Sequence, residues 1–284
     1  MNAASAFRGL FGLGAWLLCS FAAQAETAAP PAQPQLEAGI GLIELTRPNY
    51  RGSDHYSSSV LPLPYLIYRG DRLKVTREGV KARLLALDHL NLGLSAAFNL
   101  AGSSDDPART GMPELRSTLE IGPSLEWRGQ HGAYNWCLCA PLRFVTATDL
   151  RHYNAAGWVA HPHVQLARFG QIDGWDTQAS VSLGPVWATR KYHAYFYDVA
   201  PAYATAERPA YAAAGGYSGA RASLYYGVTR GRWRAGVGVL GDWLGSAAFE
   251  NSPLVKTRSA VVVGVGVSYR LFERGVTTLD EESR

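Results

Sequence analysis

The chain lacks what a helical membrane protein needs. Beyond residue 25 no stretch holds even 15 unbroken apolar residues, whereas a helix spanning a bilayer takes about 20. Charge is scarce too: Asp, Glu, Lys and Arg make up 18% of the 284 residues, against 47% apolar. No basic stripe stands out from this background, which excludes nucleic acid as a partner. Helical periodicity is missing, and so is a Gly-x-Ser-x-Gly elbow of the kind that carries a hydrolase nucleophile. Abundant instead are glycine (30), tyrosine (15) and tryptophan (8). That balance suits a soluble β-protein or a membrane β-barrel.

The first 25 residues narrow the choice. Arg8 precedes an apolar run from Gly9 to Ala23, and the small-x-small site Ala23-Gln24-Ala25 follows. This pattern reads as a signal peptide, 1–25, cleaved after Ala25. Leu18 before Cys19 argues against a lipoprotein. Loss of Arg8 takes the balance from 27 − 23 to 26 − 23, or +3. Residues 26–35, ETAAPPAQPQ, form a flexible periplasmic linker.

Period two then dominates. Leu119, Ile121, Leu125 and Trp127 alternate with Thr118, Glu120, Ser124 and Glu126. Val181, Leu183 and Trp187 alternate with Ser180 and Ser182, and Val261, Val263, Val265 and Val267 with Val262, Gly264, Gly266 and Ser268. Sandwiches alternate as well, but their strands average about five or six residues, and these run to ten or more. The apolar rows also open and close on aromatics, Trp175 to Trp187 and Trp233 to Trp243. At about 3.3 Å per residue and a tilt of about 45°, such rows rise roughly 23–28 Å, the height of a lipid-facing band between aromatic girdles. Trp127, Trp175, Trp187, Trp233 and Trp243 are the predicted girdle. The fold class is therefore all-β, a transmembrane antiparallel up-and-down β-barrel over residues 36–272 in contact with outer-membrane lipid.

Connections alternate between short (129–133, 169–174, 230–232) and long (101–114, 147–156, 191–216, 245–257), as periplasmic turns and extracellular loops do. Splitting 72–87 at Arg77-Glu78-Gly79 restores loop parity. It gives about 12 strands, with 10 as the alternative, and puts both termini in the periplasm. Gly266, Tyr269, Leu271 and Phe272 look like the signal by which the barrel assembly machinery selects its clients. Residues 273–284 form an acidic tail, either a solvated extension or a contact segment for a periplasmic partner.

Several stretches carry a resemblance in order along residues 36–272. RPNYRGSDHYSSSVLPLPYLIYRGDRLKV resembles the Pro-x-Tyr-x-Gly-Ser start and Pro-x-Pro strand of the MipA/OmpV family (MltA-interacting protein). LEIGPSLEW and VSLGPVWATRKYHAYFYDV are similar to its Gly-Pro strands, and the closing region shares a Leu-Gly-x-Ala…Ser-Pro-Leu-Val loop. The resemblance implies an outer-membrane protein. It further implies a scaffold that brings a lytic transglycosylase, a periplasmic murein hydrolase, together with a penicillin-binding murein synthase. Porin-like and adhesive roles are the alternatives. It supplies no catalytic residues.

The polar face holds the candidate chemistry. Lys81, Arg83, Arg116, Arg128, Arg143, Arg190, Arg221 and Arg234 outnumber Glu120, Glu126, Asp176 and Asp242. Unpaired, they would bias a pore toward anions; paired, they would fill a narrow lumen, and pairing is the expectation. Cys137 and Cys139 share one face about 6.5–7 Å apart with parallel side chains, so inert thiols are expected ahead of a disulfide or a metal. His161 and His163 also share the inner face, but no third ligand is identifiable, so a polar network is expected and no metal or cofactor. Glu120 and Glu126 stand about 20 Å apart along one strand, against about 5–9.5 Å for glycosidase carboxylates. No enzyme is expected. The Tyr-rich loop 191–216 reads either as a recognition surface, an adhesin with loop 245–257, or as a segment folded back over the barrel mouth.

Overall fold

The computed structural model describes residues 35–69, 73–76, 79–87, 89–102, 105–149 and 151–275. Alternation becomes thirteen strands: β1 (Gln35–Pro48), β2 (Tyr56–Arg69), β3 (Leu73–Thr76), β4 (Gly79–Leu87), β5 (Leu90–Asn99), β6 (Ser117–His131), β7 (Tyr134–Thr148), β8 (Tyr153–Ala160), β9 (His163–Ile172), β10 (Trp175–Ala188), β11 (Gly216–Arg230), β12 (Trp233–Trp243) and β13 (Ser259–Gly275). One helix, α1 (Arg190–Tyr197), lies between β10 and β11.

All pairings are antiparallel, and the sheet closes because β1 pairs with β2 on one side and β13 on the other. β8 and β9 are two halves of one wall strand. The upper part of β7, from Leu142 to Thr148, pairs with β8; its lower part, from Tyr134 to Cys139, pairs with β9. Pro162 falls at the interruption, where it offers no N–H to the ladder. The wall therefore has twelve strands, as loop parity predicts, and the split in 72–87 falls between Thr76 and Gly79.

Two details differ from expectation. The loop predicted over 147–156 shrinks to 149–152, because Thr146, Ala147 and Thr148 pair with Ala155, Asn154 and Tyr153. The last strand continues past Phe272 to Gly275, since Glu273, Arg274 and Gly275 pair with Glu37, Leu36 and Gln35. The acidic cluster Asp280, Glu281 and Glu282 lies outside the described residues.

Turn chemistry sets the short end. Asp173 and Gly174, with φ 50° and 75°, make the two-residue turn that matches the twist of the flanking strands. Across the wall, Gly122-Pro123 on β6 and Gly184-Pro185 on β10 combine two effects. Proline breaks the ladder, and the bare glycine lets the next strand approach: a Cβ on Gly122 would collide with Leu142 O, and one on Gly184 with Pro162 O.

The outward face is apolar. Val261, Val263, Val265 and Val267 are exposed, whereas Ala260 and Ser268 on the same strand are buried. Edge-on aromatic pairs rim this band at both ends: Trp127–Trp136 at 5.5 Å and Trp233–Tyr269 at 4.9 Å near the short turns, Phe144–Trp158 at 5.3 Å and Trp187–Tyr217 at 6.1 Å near the loops.

One stretch of wall is thin. β2 pairs with β3 only at Tyr68 and Arg69, so among the described residues its upper part has no strand on that side. Pairing with β1 runs through Pro62 and Pro64 without a shift, which turns both proline nitrogens toward the unpaired side.

Candidate functional site

The extracellular loops fold inward and share a core of their own. Tyr50, Tyr197, Val199, Ala213, Leu244, Ala247, Phe249 and Leu254 are buried together, with Met112 and Leu115 packed against them. These residues come from four loops, 49–55, 100–116, 189–215 and 244–258. At the centre Tyr197 of α1 stacks on Phe249, ring centroids 3.7 Å apart and nearly parallel. His193, one turn earlier, meets the Phe249 ring edge-on at 4.6 Å. Helix α1 sits close to β8 because Gly157 has no side chain; a Cβ there would meet Thr189 and Tyr192. The Tyr-rich loop is thus the segment folded back over the mouth.

Polar bonds lock the cap. The Tyr50 hydroxyl donates to Leu254 O at 2.7 Å, that of Tyr197 to Arg51 O at 2.9 Å, and that of Ser252 to Tyr197 O at 2.7 Å. Asp106 accepts from Asn49 and Ser53, joining the first and second loops. Burial raises the Tyr197 hydroxyl far above its ordinary pKa, and burial followed by Glu120 pushes Tyr192 up to about 12. Both phenols therefore stay protonated. Burial holds His193 neutral below its ordinary value, while its ring Nδ1–H donates to Ala214 O at 2.6 Å.

Beneath the cap Asp242, only 3% exposed, accepts from two arginines. Arg51 reaches it from the first loop with Nε at 3.1 Å and Nη2 at 3.0 Å; Arg221 reaches it from β11 with Nε and Nη2 at 3.0 Å. Arg51 also donates to Ser218 Oγ and O. Burial works against the Arg51 charge, but Asp242 with Tyr197 and Tyr192 outweighs it and raises the pKa.

Further down, Arg143 stands 3.6 Å from Glu120, which also accepts from Asn99, and Arg234 stands 3.2 Å from Glu37, which accepts from Tyr65. Arg128 pairs with Glu126. Ser95, Ser124, Gln165, Ser180, Ser182, Ser223 and Ser268 are nearly inaccessible to solvent, so the interior is narrow and filled. Between cap and wall lies a chamber of about 180 Å³, lined by Arg47, Arg51, Arg116 and Arg221, by Glu120 and Asp242, and by apolar residues including Leu45, Phe98 and Leu240.

Of the predicted lumen charges, Arg143, Arg221, Arg234, Glu120 and Glu126 are therefore paired. The side chains of Lys81 and Arg83 lie outside the described residues. Arg116 precedes β6 at the rim, where it borders the chamber and stands 3.8 Å from Asp149. Arg190 likewise leaves the wall to begin α1. His161 and His163 stack at 4.7 Å, and among the described residues no group of three or more His, Cys, Asp or Glu could hold a metal.

Cys137 and Cys139 form a disulfide rather than remaining thiols; the local pleat brings their Cα atoms to 5.6 Å, inside the range a bond accepts. Gly266 lies in β13 opposite Gly236 and Ile43, Tyr269 packs on Trp233, and Leu271 and Phe272 are exposed. Sequence reasoning missed Arg51, Tyr50, Tyr197 and Arg47. The signal for the first two stood in the stretch Pro48-Asn49-Tyr50-Arg51-Gly52-Ser53, which leaves β1 at Pro48 and enters the cap.

A closed twelve-strand wall with an apolar belt, two aromatic rims and a polar interior defines an integral outer-membrane β-barrel, here with a folded cap over its mouth. The chain belongs to the family of the MltA-interacting protein MipA, whose family model matches residues 40–271, and it resides in the outer membrane of a Gram-negative bacterium. A search of curated proteins gives no match. Among solved structures, the monoaromatic hydrocarbon channel CymD aligns over 87% of this chain and 90% of its own at 12% identity and TM-score 0.31. The Pseudomonas putida toluene transporter TodX aligns over 91% and 98% at 10% identity and TM-score 0.29. The Escherichia coli outer membrane protease OmpT aligns over 87% and 99% at 8% identity and TM-score 0.28. Likenesses this distant carry nothing about cargo or activity.

Proposed function

We propose that this barrel is a non-enzymatic scaffold, anchored in the outer membrane, that positions murein-remodelling enzymes from its periplasmic side: a lytic transglycosylase, with a penicillin-binding synthase as second guest. The observation that carries this reading is the state of the mouth. Four loops close over it around a common core, and beneath it Arg51, Arg221 and Arg143 are neutralised by Asp242 and Glu120. That arrangement favours a rigid anchor over a passive pore. The periplasmic face offers the two-residue turns, the paired ends of β1 and β13, and the tail beyond Gly275.

Two measurements test the proposal together. Mature protein, residues 26–284, refolded into a planar bilayer should stay silent; discrete, long-lived, anion-leaning steps would replace the scaffold with a channel. The same protein in nanodiscs should capture a purified lytic transglycosylase through its periplasmic face, and deletion of residues 276–284 should weaken capture. A folded barrel that captures no such enzyme defeats the proposal outright.

A further inference from the structure

One cation of the chamber lacks a carboxylate among the described residues. Arg47, next to last in β1, lines the chamber and donates through Nη2 to Ala101 O at 2.8 Å. Its Nε and Nη1 are buried and meet no acceptor among the described residues. The other three cations of the chamber each have a carboxylate: Arg51 and Arg221 share Asp242, and Arg116 has Asp149. Arg47 has none among the described residues. A guanidinium taken from water without a counter-charge is strongly disfavoured, so an arginine held this way marks the seat of an anion that the chain itself does not supply.

The surroundings specify what kind. Arginine's planar fork matches a carboxylate through two parallel N–H···O bonds. Of the four lining cations, Arg47, Arg51, Arg116 and Arg221, only Arg47 lacks a carboxylate partner among the described residues, so the chamber has room for one further negative charge. The same chamber is lined by Leu45, Phe98, Leu115, Leu240 and Val262, which a bare inorganic ion would leave unused. The volume, about 180 Å³, slightly exceeds the roughly 150 Å³ of an apolar cavity that takes up benzene.

We propose that the chamber is a binding site for a small amphipathic carboxylic acid, of one ring or a short chain of equal bulk. Its carboxylate sits on Arg47 and its apolar body rests against Leu240 and Val262. The site lies at the loop end of the barrel, and its occupancy is independent of any enzyme held at the other end.

Calorimetry on the refolded barrel in nanodiscs tests this with three probes: benzoate, its neutral counterpart benzamide, and inorganic phosphate as a bare anion. Benzoate should bind saturably at one site, about tenfold or more tighter than either of the others, the step expected when one charge-assisted pair is lost. Arg47→Gln should remove that advantage while the folded band on unheated gels persists. Leu240→Trp, which fills the chamber and keeps Arg47, should abolish binding. Equal affinity for benzoate and benzamide, phosphate binding as tightly as benzoate, or no saturable benzoate binding would each overturn the site. The three-probe comparison on the unmodified protein decides the matter even if a variant fails to refold.

Discussion

Asp242→Asn is the most informative single change, because one carboxylate holds a loop arginine and a wall arginine at once. Three hydrogen bonds of 3.0–3.1 Å converge on it, and Arg51 Nη2 adds an ion-pair contact at 3.0 Å. The amide keeps the shape but drops the charge, leaving Arg51 and Arg221 facing each other uncompensated. Breaking a buried ion pair by removing one partner costs about 3–5 kcal/mol. Here the loss falls on the cap, since Arg51 O also receives the Tyr197 hydroxyl. Urea titration of the refolded barrel in lipid vesicles should show the loop contacts melting well before the wall. Planar-bilayer recording should show anion-preferring openings that the unmodified protein lacks. Replacing all three residues by apolar ones (Arg51→Met, Arg221→Met, Asp242→Leu) should restore most of the stability, because no charge is then stranded. An Asp242→Asn barrel with unchanged urea behaviour and no conductance would show that the triad does not hold the cap, and the reasoning from stranded charge would fail.

Other expectations follow from single contacts. Phe249→Ala removes a fully buried ring stacked on Tyr197 and should cost about 3–5 kcal/mol, read as faster proteolysis of loop 189–215 with the wall intact. Gly184→Ala places a methyl against Pro162 O and should block assembly, whereas Gly245→Ala, which meets nothing within 4 Å, should leave the folded band on unheated gels unchanged. His193 is held neutral mainly by burial, so the unfolded cap binds the proton more readily. Cap stability is then full above the ordinary value of about 6.5 and declines as pH falls below it. Protease sensitivity of the loop should rise between pH 7.5 and 5, and His193→Gln should flatten that dependence.

The wall was legible in the sequence because lipid imposes one rule on every strand. The row Val261, Val263, Val265 and Val267 announces its face from residue type alone, and loop parity alone demands the split after Thr76. The cap obeys no such rule. Helix α1, RKYHAYFY, is only eight residues long, and its aromatic face packs on Phe249, a partner more than fifty residues away that sequence pattern does not display. The Arg51–Asp242 pair spans 191 residues, so neither side chain advertises its partner. Arg51 stood in a stretch readable as a family mark but silent about chemistry. The disulfide was missed for a smaller reason: ideal strand spacing keeps Cys137 and Cys139 apart, and the actual pleat is tighter.

The two prolines of β2 bear on life in a crowded membrane. An edge with free donors in hydrocarbon would recruit any passing strand, and neighbouring barrels would zip together along it. Pro62 and Pro64 have no hydrogen to give on that side. At these two positions the thinnest part of this wall therefore offers a passing strand nothing to bond to.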